Sequence, residues 1–131
     1  MRSLLFLLMS LNFVGYTYGA DKCDSVITQA QMNECSALSY READTQLNTI
    51  YKSIMGELKV QAEMAQHLKA AQKIWIIFRD AECKFVADRS VGGSIQPMVL
   101  SACLDRLTRA RTEQLKSYTR CNEGDVSCPL P

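Results

Sequence analysis

The sequence predicts an all-α fold: a disulfide-linked bundle of about three antiparallel helices with a long first helix. Three observations carry that expectation. No stretch sustains the apolar–polar alternation of a strand, and three stretches show an apolar period near 3.6 residues. Six cysteines in 131 residues form an even set that can crosslink so short a chain. A chain of this length supports one compact domain, and apolar types at 47% are enough for a core.

Charge narrows the function classes. Lys and Arg number 15 against 14 Asp and Glu, whereas nucleic-acid binders need a basic face to displace counterions from phosphates. No nucleic-acid partner is expected. Six glycines and three prolines are too few for a low-complexity chain.

The chain divides into three parts. Residues 1–20 read as an export signal: Arg2 is the positive charge, Leu4 to Leu11 are nearly all apolar, and Thr17-Tyr18-Gly19-Ala20 offers small residues for cleavage. The apolar run stops at Asn12, short of the roughly 20 residues a permanent anchor needs, so no stable membrane anchor is expected. Residues 21–120 are the helical domain, and 121–131 an irregular tail with its own two cysteines. Loss of Arg2 brings the basic count from 15 to 14, equal to the 14 acids. The product is expected in the periplasm or the medium.

Thr28 and Gln31 form a capping box at the start of the first helix. From there Tyr40, Ala43, Asp44, Leu47, Asn48, Tyr51, Ile54, Met55 and Leu58 lie within about 80° of one line, which predicts a helix from 29 to about 60. The second helix carries Met64, Leu68, Ala71, Gln72, Trp75, Phe78, Arg79, Glu82 and Val86 on one stripe. Ile74, Ile76 and Ile77 widen its apolar surface, so it is expected between two neighbours. Gly92-Gly93 breaks the pattern, and Pro97 suits the first turn of a third helix. On that helix Leu100, Cys103, Leu104, Leu107, Ala110, Arg111, Gln114 and Tyr118 make the last stripe. The turn near 60–64 has no strong stop signal, so one continuous helix through it is the alternative.

Polar residues inside these stripes give a register. In an antiparallel pair turning near 61, facing positions total about 123, and Asp44 with Arg79, Asn48 with Trp75, and Tyr51 with Gln72 all satisfy that. Such pairing would satisfy groups whose lone burial costs about 1–3 kcal/mol each. These six residues are therefore expected to form a structural polar core rather than an active site.

The same geometry sorts the cysteines in an oxidising compartment. Cys83 and Cys103 flank the glycine loop almost symmetrically and are expected to join. Cys35 lies about 140° from the core line of its helix, facing the extended segment that holds Cys23. Cys121 and Cys128 then close a small loop or bond to another chain. Metal and redox chemistry are not expected, and no cofactor is, because no C-x-x-C occurs and His67 is the single histidine.

The ordered motifs Asp44-x-x-Leu47-Asn48-x-x-Tyr51, Gln72-x-x-Trp75-x-x-Phe78-Arg79-Asp80-x-x-Cys83, Gly92-Gly93-Ser94 and Cys103, preceded by Cys23 and Cys35, resemble those of the LprI family of lysozyme-inhibitor-like bacterial proteins. The resemblance runs from about Cys23 to Tyr118. It implies a small exported helical domain whose namesake members bind and inhibit lysozyme. The sequence departs from the lipoprotein members in lacking their lipid-attachment cysteine, and Cys121 with Cys128 extends the usual four-cysteine pattern.

An enzyme is not expected. His67 has no marked acid partner, and Glu42, Asp44, Glu57, Asp80 and Glu82 do not face each other across a sugar cleft. The expected binding element is the loop of Arg89, Ser90, Val91, Gly92, Gly93, Ser94 and Ile95, held at its base by Cys83 and Cys103. Arg89 would meet catalytic carboxylates, and the glycines would allow close backbone approach. The expected partner is lysozyme or a peptidoglycan-degrading toxin. An immunity protein against a competitor's toxin and a structural periplasmic domain are the alternative readings. A near-neutral chain exerts little long-range pull on a basic lysozyme, which leaves recognition to local patches and shape.

Overall fold

The computed structural model describes residues 23, 25–122 and 124–130; the expected export signal lies outside them. Helix α1 spans Gln29–Glu57, α2 spans Ala62–Ala87 and α3 spans Gln96–Tyr118, and no strand occurs among the described residues. The bundle is all-α with the long first helix expected.

Local chemistry sets the helix ends. The Thr28 hydroxyl accepts from the Gln31 amide at 3.2 Å, and the Gln31 side chain accepts from the Thr28 amide at 3.1 Å, so two orphan donors are satisfied at once. At the far end the chain tightens into a 3-10 turn over Leu58–Val60, and Gln61 leaves helical geometry at φ −116° and ψ 67°. That single residue ends the run, so α1 and α2 are separate helices. Pro97 occupies the first turn of α3, where its missing N–H is no loss.

The helices run up, down and up, so α1 and α3 are parallel. Asn33 meets Ser94, Ser36 meets Met98 and Ser39 meets Asp105, with numbers rising together on both helices. Small side chains on this seam, among them Ser36, Ser39, Ala43, Thr108 and Thr112, let the two backbones approach closely. Helix α2 keeps a greater distance from α1, and Tyr40, Trp75 and two arginines fill the space.

The apolar core lies at one end of the bundle. Leu47, Ile54, Leu58 and Leu115 are buried there, with Ile50, Tyr51, Leu68, Trp75 and Tyr118 packed around them. Leu130 joins the same cluster, which folds the tail back on the bundle after Cys121 pairs with Cys128.

Three expectations need correction. Helix α2 does not sit between two neighbours, since Ile74, Ile77, Phe78 and Phe85 are more than half exposed. Gln72 and Arg79 of the predicted stripe are buried and are joined by Cys83 and Ala87, while Met64, Phe78 and Val86 of that stripe are open to solvent. On α3 the predicted Ala110 and Gln114 are exposed, and Thr108, Thr112 and Leu115 take the interior. Each shift is a rotation of the stripe by one position, which an apolar pattern spread around most of a helix cannot resolve.

Candidate functional site

The loop between α2 and α3 is built from short-range geometry. Asp88–Ser90 close the end of α2 as a 3-10 turn, and the Ser90 hydroxyl donates to the Ala87 carbonyl at 2.7 Å. Gly92 sits at φ +82°, a region that L residues with a side chain rarely adopt. A Cβ on Gly93 would stand 3.2 Å from the Ser90 carbonyl oxygen, and the Gly93 amide donates to that same oxygen at 3.0 Å. The two glycines therefore serve different needs, one a positive φ and the other a close approach.

The loop is tied down at both sides. Cys83 and Cys103 are paired at its base with Cα atoms 5.5 Å apart. Across the bundle, Asn33 Nδ2 donates to the Ser94 carbonyl at 2.9 Å, and the Ser36 hydroxyl donates to Met98 O at 3.1 Å. Between these anchors Arg89, Val91 and Ile95 are exposed, with Val91 at 66%. Asn33 and Ser36 were not singled out in the sequence. Their spacing of three places both on one helix face, but only the parallel pairing of α1 with α3 makes them anchors.

The second constellation is the polar layer around Arg79. Its guanidinium donates to Asp80 Oδ1 at 2.9 Å, to the Thr108 hydroxyl at 3.3 Å and to Asp44 Oδ1 at 3.5 Å. Its carbon lies 5.3 Å from the Trp75 ring centroid and 5.5 Å from that of Tyr40. Arg111 approaches Trp75 at 5.9 Å and donates to Gln72 at 3.1 Å and to Gln114 at 2.6 Å. Burial raises the Tyr40 phenol above its usual value; Arg79 pulls it down, while Asp44 and Asp80 push it up.

Of the three pairs expected in this layer, the structure brings together Asp44 and Arg79. Gln72 pairs with Arg111 from α3 rather than with Tyr51, which joins the apolar cluster. Asn48 is exposed and donates back to Asp44, to its carbonyl at 2.9 Å and its carboxylate at 3.0 Å, and does not reach Trp75. Because α2 packs on α3 and stands off from α1, α1 and α2 do not form the simple facing hairpin that the register assumed. No buried side-chain polar atom among the described residues lacks a partner, so the layer consumes its own hydrogen-bonding capacity.

The remaining candidates are dispersed. His67 is exposed and lines an apolar cleft of about 470 Å³ with Ile54, Leu58, Tyr118 and Leu130. Among the described residues no cluster of His, Cys, Asp and Glu could hold a metal ion, and no helix is long and apolar enough to cross a membrane. Cys23 pairs with Cys35 at a Cα separation of 5.7 Å, and Cys121 with Cys128 at 5.8 Å.

Comparison with known proteins agrees with this architecture. An uncharacterized protein of Rhizobium meliloti (strain 1021) is 34% identical over 113 residues, covering 78% of this chain and 81% of its own. A crystal structure of a DUF1311 family protein from Pseudomonas putida KT2440 superposes with a TM-score of 0.66 at 25% identity. It covers 72% of this chain and 97% of that one. The family model for lysozyme inhibitor LprI matches residues 20–115, the three helices with both disulfides that brace them, and the chain belongs to that family.

Proposed function

We propose that the protein is exported and binds lysozyme or a similar peptidoglycan hydrolase, inhibiting it by occlusion without turning over a substrate. The loop 89–95 is the proposed contact, with Arg89 directed at the catalytic carboxylates of the enzyme and Val91 at an apolar wall beside them. The observation that carries this reading is the combination of exposure with restraint: Val91 is 66% exposed, yet the segment is held by the Cys83–Cys103 pair and by Asn33. Such a loop loses little freedom on binding, so more of the contact energy appears as affinity. Family membership supports the class of partner.

A lysozyme turbidity assay tests the proposal. The oxidised protein slows lysis, and the Arg89→Ala/Val91→Ala double variant inhibits at least ~10-fold more weakly, about 1.4 kcal/mol. Wild-type inhibition by that variant would place the contact elsewhere on the molecule.

A further inference from the structure

Helix α2 carries its most apolar face outward. On a helical wheel Ala70, Ile74, Ile77, Phe78, Ala81 and Phe85 fall within about 100° of one another, centred opposite the line of Gln72, Arg79 and Cys83 that enters the bundle. Ile74 is 67% exposed, Ile77 61%, Phe78 53% and Phe85 77%. On the ordinary areas of these side chains the four expose roughly 500 Å² in one stripe. A patch of that size is near the upper end of what a monomeric soluble protein exposes, and such patches are often functional.

We infer that this face pairs with the same face of a second copy of the chain, the two α2 helices lying antiparallel across a two-fold axis. Three features favour that occupant. The stripe runs along one face of a single continuous helix, so it suits another helix better than a cleft. Ile74, Phe78, Ala81 and Phe85 are spaced four, three and four apart, the seam spacing of a coiled coil. The side-chain volumes are self-complementary as well. With the axis level with Arg79 and Asp80, Phe78 inserts over the partner's Ala81 and Ile74 packs on the partner's Phe85, and symmetry repeats both contacts.

The area places the interface among the smaller ones. Roughly 500 Å² per copy falls short of the ~800 Å² that each partner gives to a standard interface. The dimer is therefore of the weak, concentration-dependent kind. Its geometry leaves both 89–95 loops open at opposite ends, about 30 Å apart along the helix direction at 1.5 Å rise per residue.

Sedimentation velocity on the oxidised protein tests the inference directly. The wild type shifts from monomer to dimer as its concentration is raised from about 5 to 200 µM, the span in which a weak specific association is read out. A Phe78→Glu/Phe85→Glu variant stays monomeric across it, with unchanged far-UV circular dichroism because both side chains lie outside the core. Ala81→Phe adds apolar surface yet weakens the dimer, since it fills the space that Phe78 needs. A monomeric wild type at 200 µM, a dimer surviving the double substitution, or a dimer strengthened by Ala81→Phe would each overturn the pairing. So would a monomeric wild type whose inhibition of lysozyme is lost in the double variant, which would assign the face to the enzyme instead.

Discussion

The two faces of α2 invert the usual arrangement. The inner face presents Gln72 and Arg79 to the bundle at 7% exposure each, whereas the outer face leaves Ile74, Ile77 and Phe85 more than 60% exposed. A helix that buries its polar side must satisfy those groups inside. Here Asp44, Asp80, Thr108 and Arg111 do so, around the Tyr40 and Trp75 rings. The contrast teaches that α2 is held to the bundle by a polar layer, one covalent link and the apolar packing of Leu68 and Trp75, while its outer apolar surface faces solvent.

If that division is right, the covalent link matters most. Replacing Cys83 and Cys103 together by alanine opens a 20-residue loop, and the chain-entropy relation puts the loss at about 3 kcal/mol. Chemical denaturation measures it, and inhibition falls further than stability because the loop loses its base. A loss under about 1 kcal/mol would mean that the polar layer holds α2 unaided. The layer itself ranks second. Arg79→Met keeps the aliphatic stem between the rings and removes the charge. Breaking a buried pair costs 3–5 kcal/mol when a charge is stranded, but the Asp44 and Asp80 side chains are 42% and 49% exposed and return to water. The expected loss is therefore about 1–2 kcal/mol, the scale of a lost charged hydrogen bond. A larger loss than that of the double cysteine variant would reverse the ranking.

What the sequence made legible was local. The Thr28–Gln31 capping box acts within four residues, and Gly92-Gly93 with Pro97 marks a turn through backbone preference alone, so each could be read without knowing a neighbour. The Asp44–Arg79 pair was legible because few residues can share a helical interior with a guanidinium. The apolar stripe points Phe78 and Val86 toward the bundle, where Cys83 and Ala87 belong, because apolar groups surround α2 and the stripe has no sharp edge. The register pairs Gln72 with Tyr51 because it takes no account of α3: only the parallel seam of small residues on α1 and α3 brings Arg111 to it. Leu130 was invisible, since a tail with no period gives no sign of which side chain returns to the core. In the binding loop the turn residues were readable, but Asn33 and Ser36 act over more than sixty positions and show themselves only in three dimensions.

The finest probe of the inner face is Tyr40, where the forces in the polar layer oppose one another. Burial lifts the phenol above its usual 10.0, Arg79 lowers it, and Asp44 and Asp80 lift it again. The neutral form is thus favoured in the folded protein. A group whose folded value is raised contributes stability that is whole below its unfolded value and is lost as pH climbs through the folded one. Stability should decline as pH rises beyond 10, and Tyr40→Phe should remove part of that slope. Spectrophotometric titration gives the same answer directly, as the difference between wild type and Tyr40→Phe. Arg79→Met should raise the phenol further, since it deletes the one neighbour named here that favours the anion. A Tyr40 that instead ionises below 10 in the wild type would mean that the guanidinium outweighs burial. The inner face of α2 would then be governed by charge, and its resemblance to a packed core would be superficial.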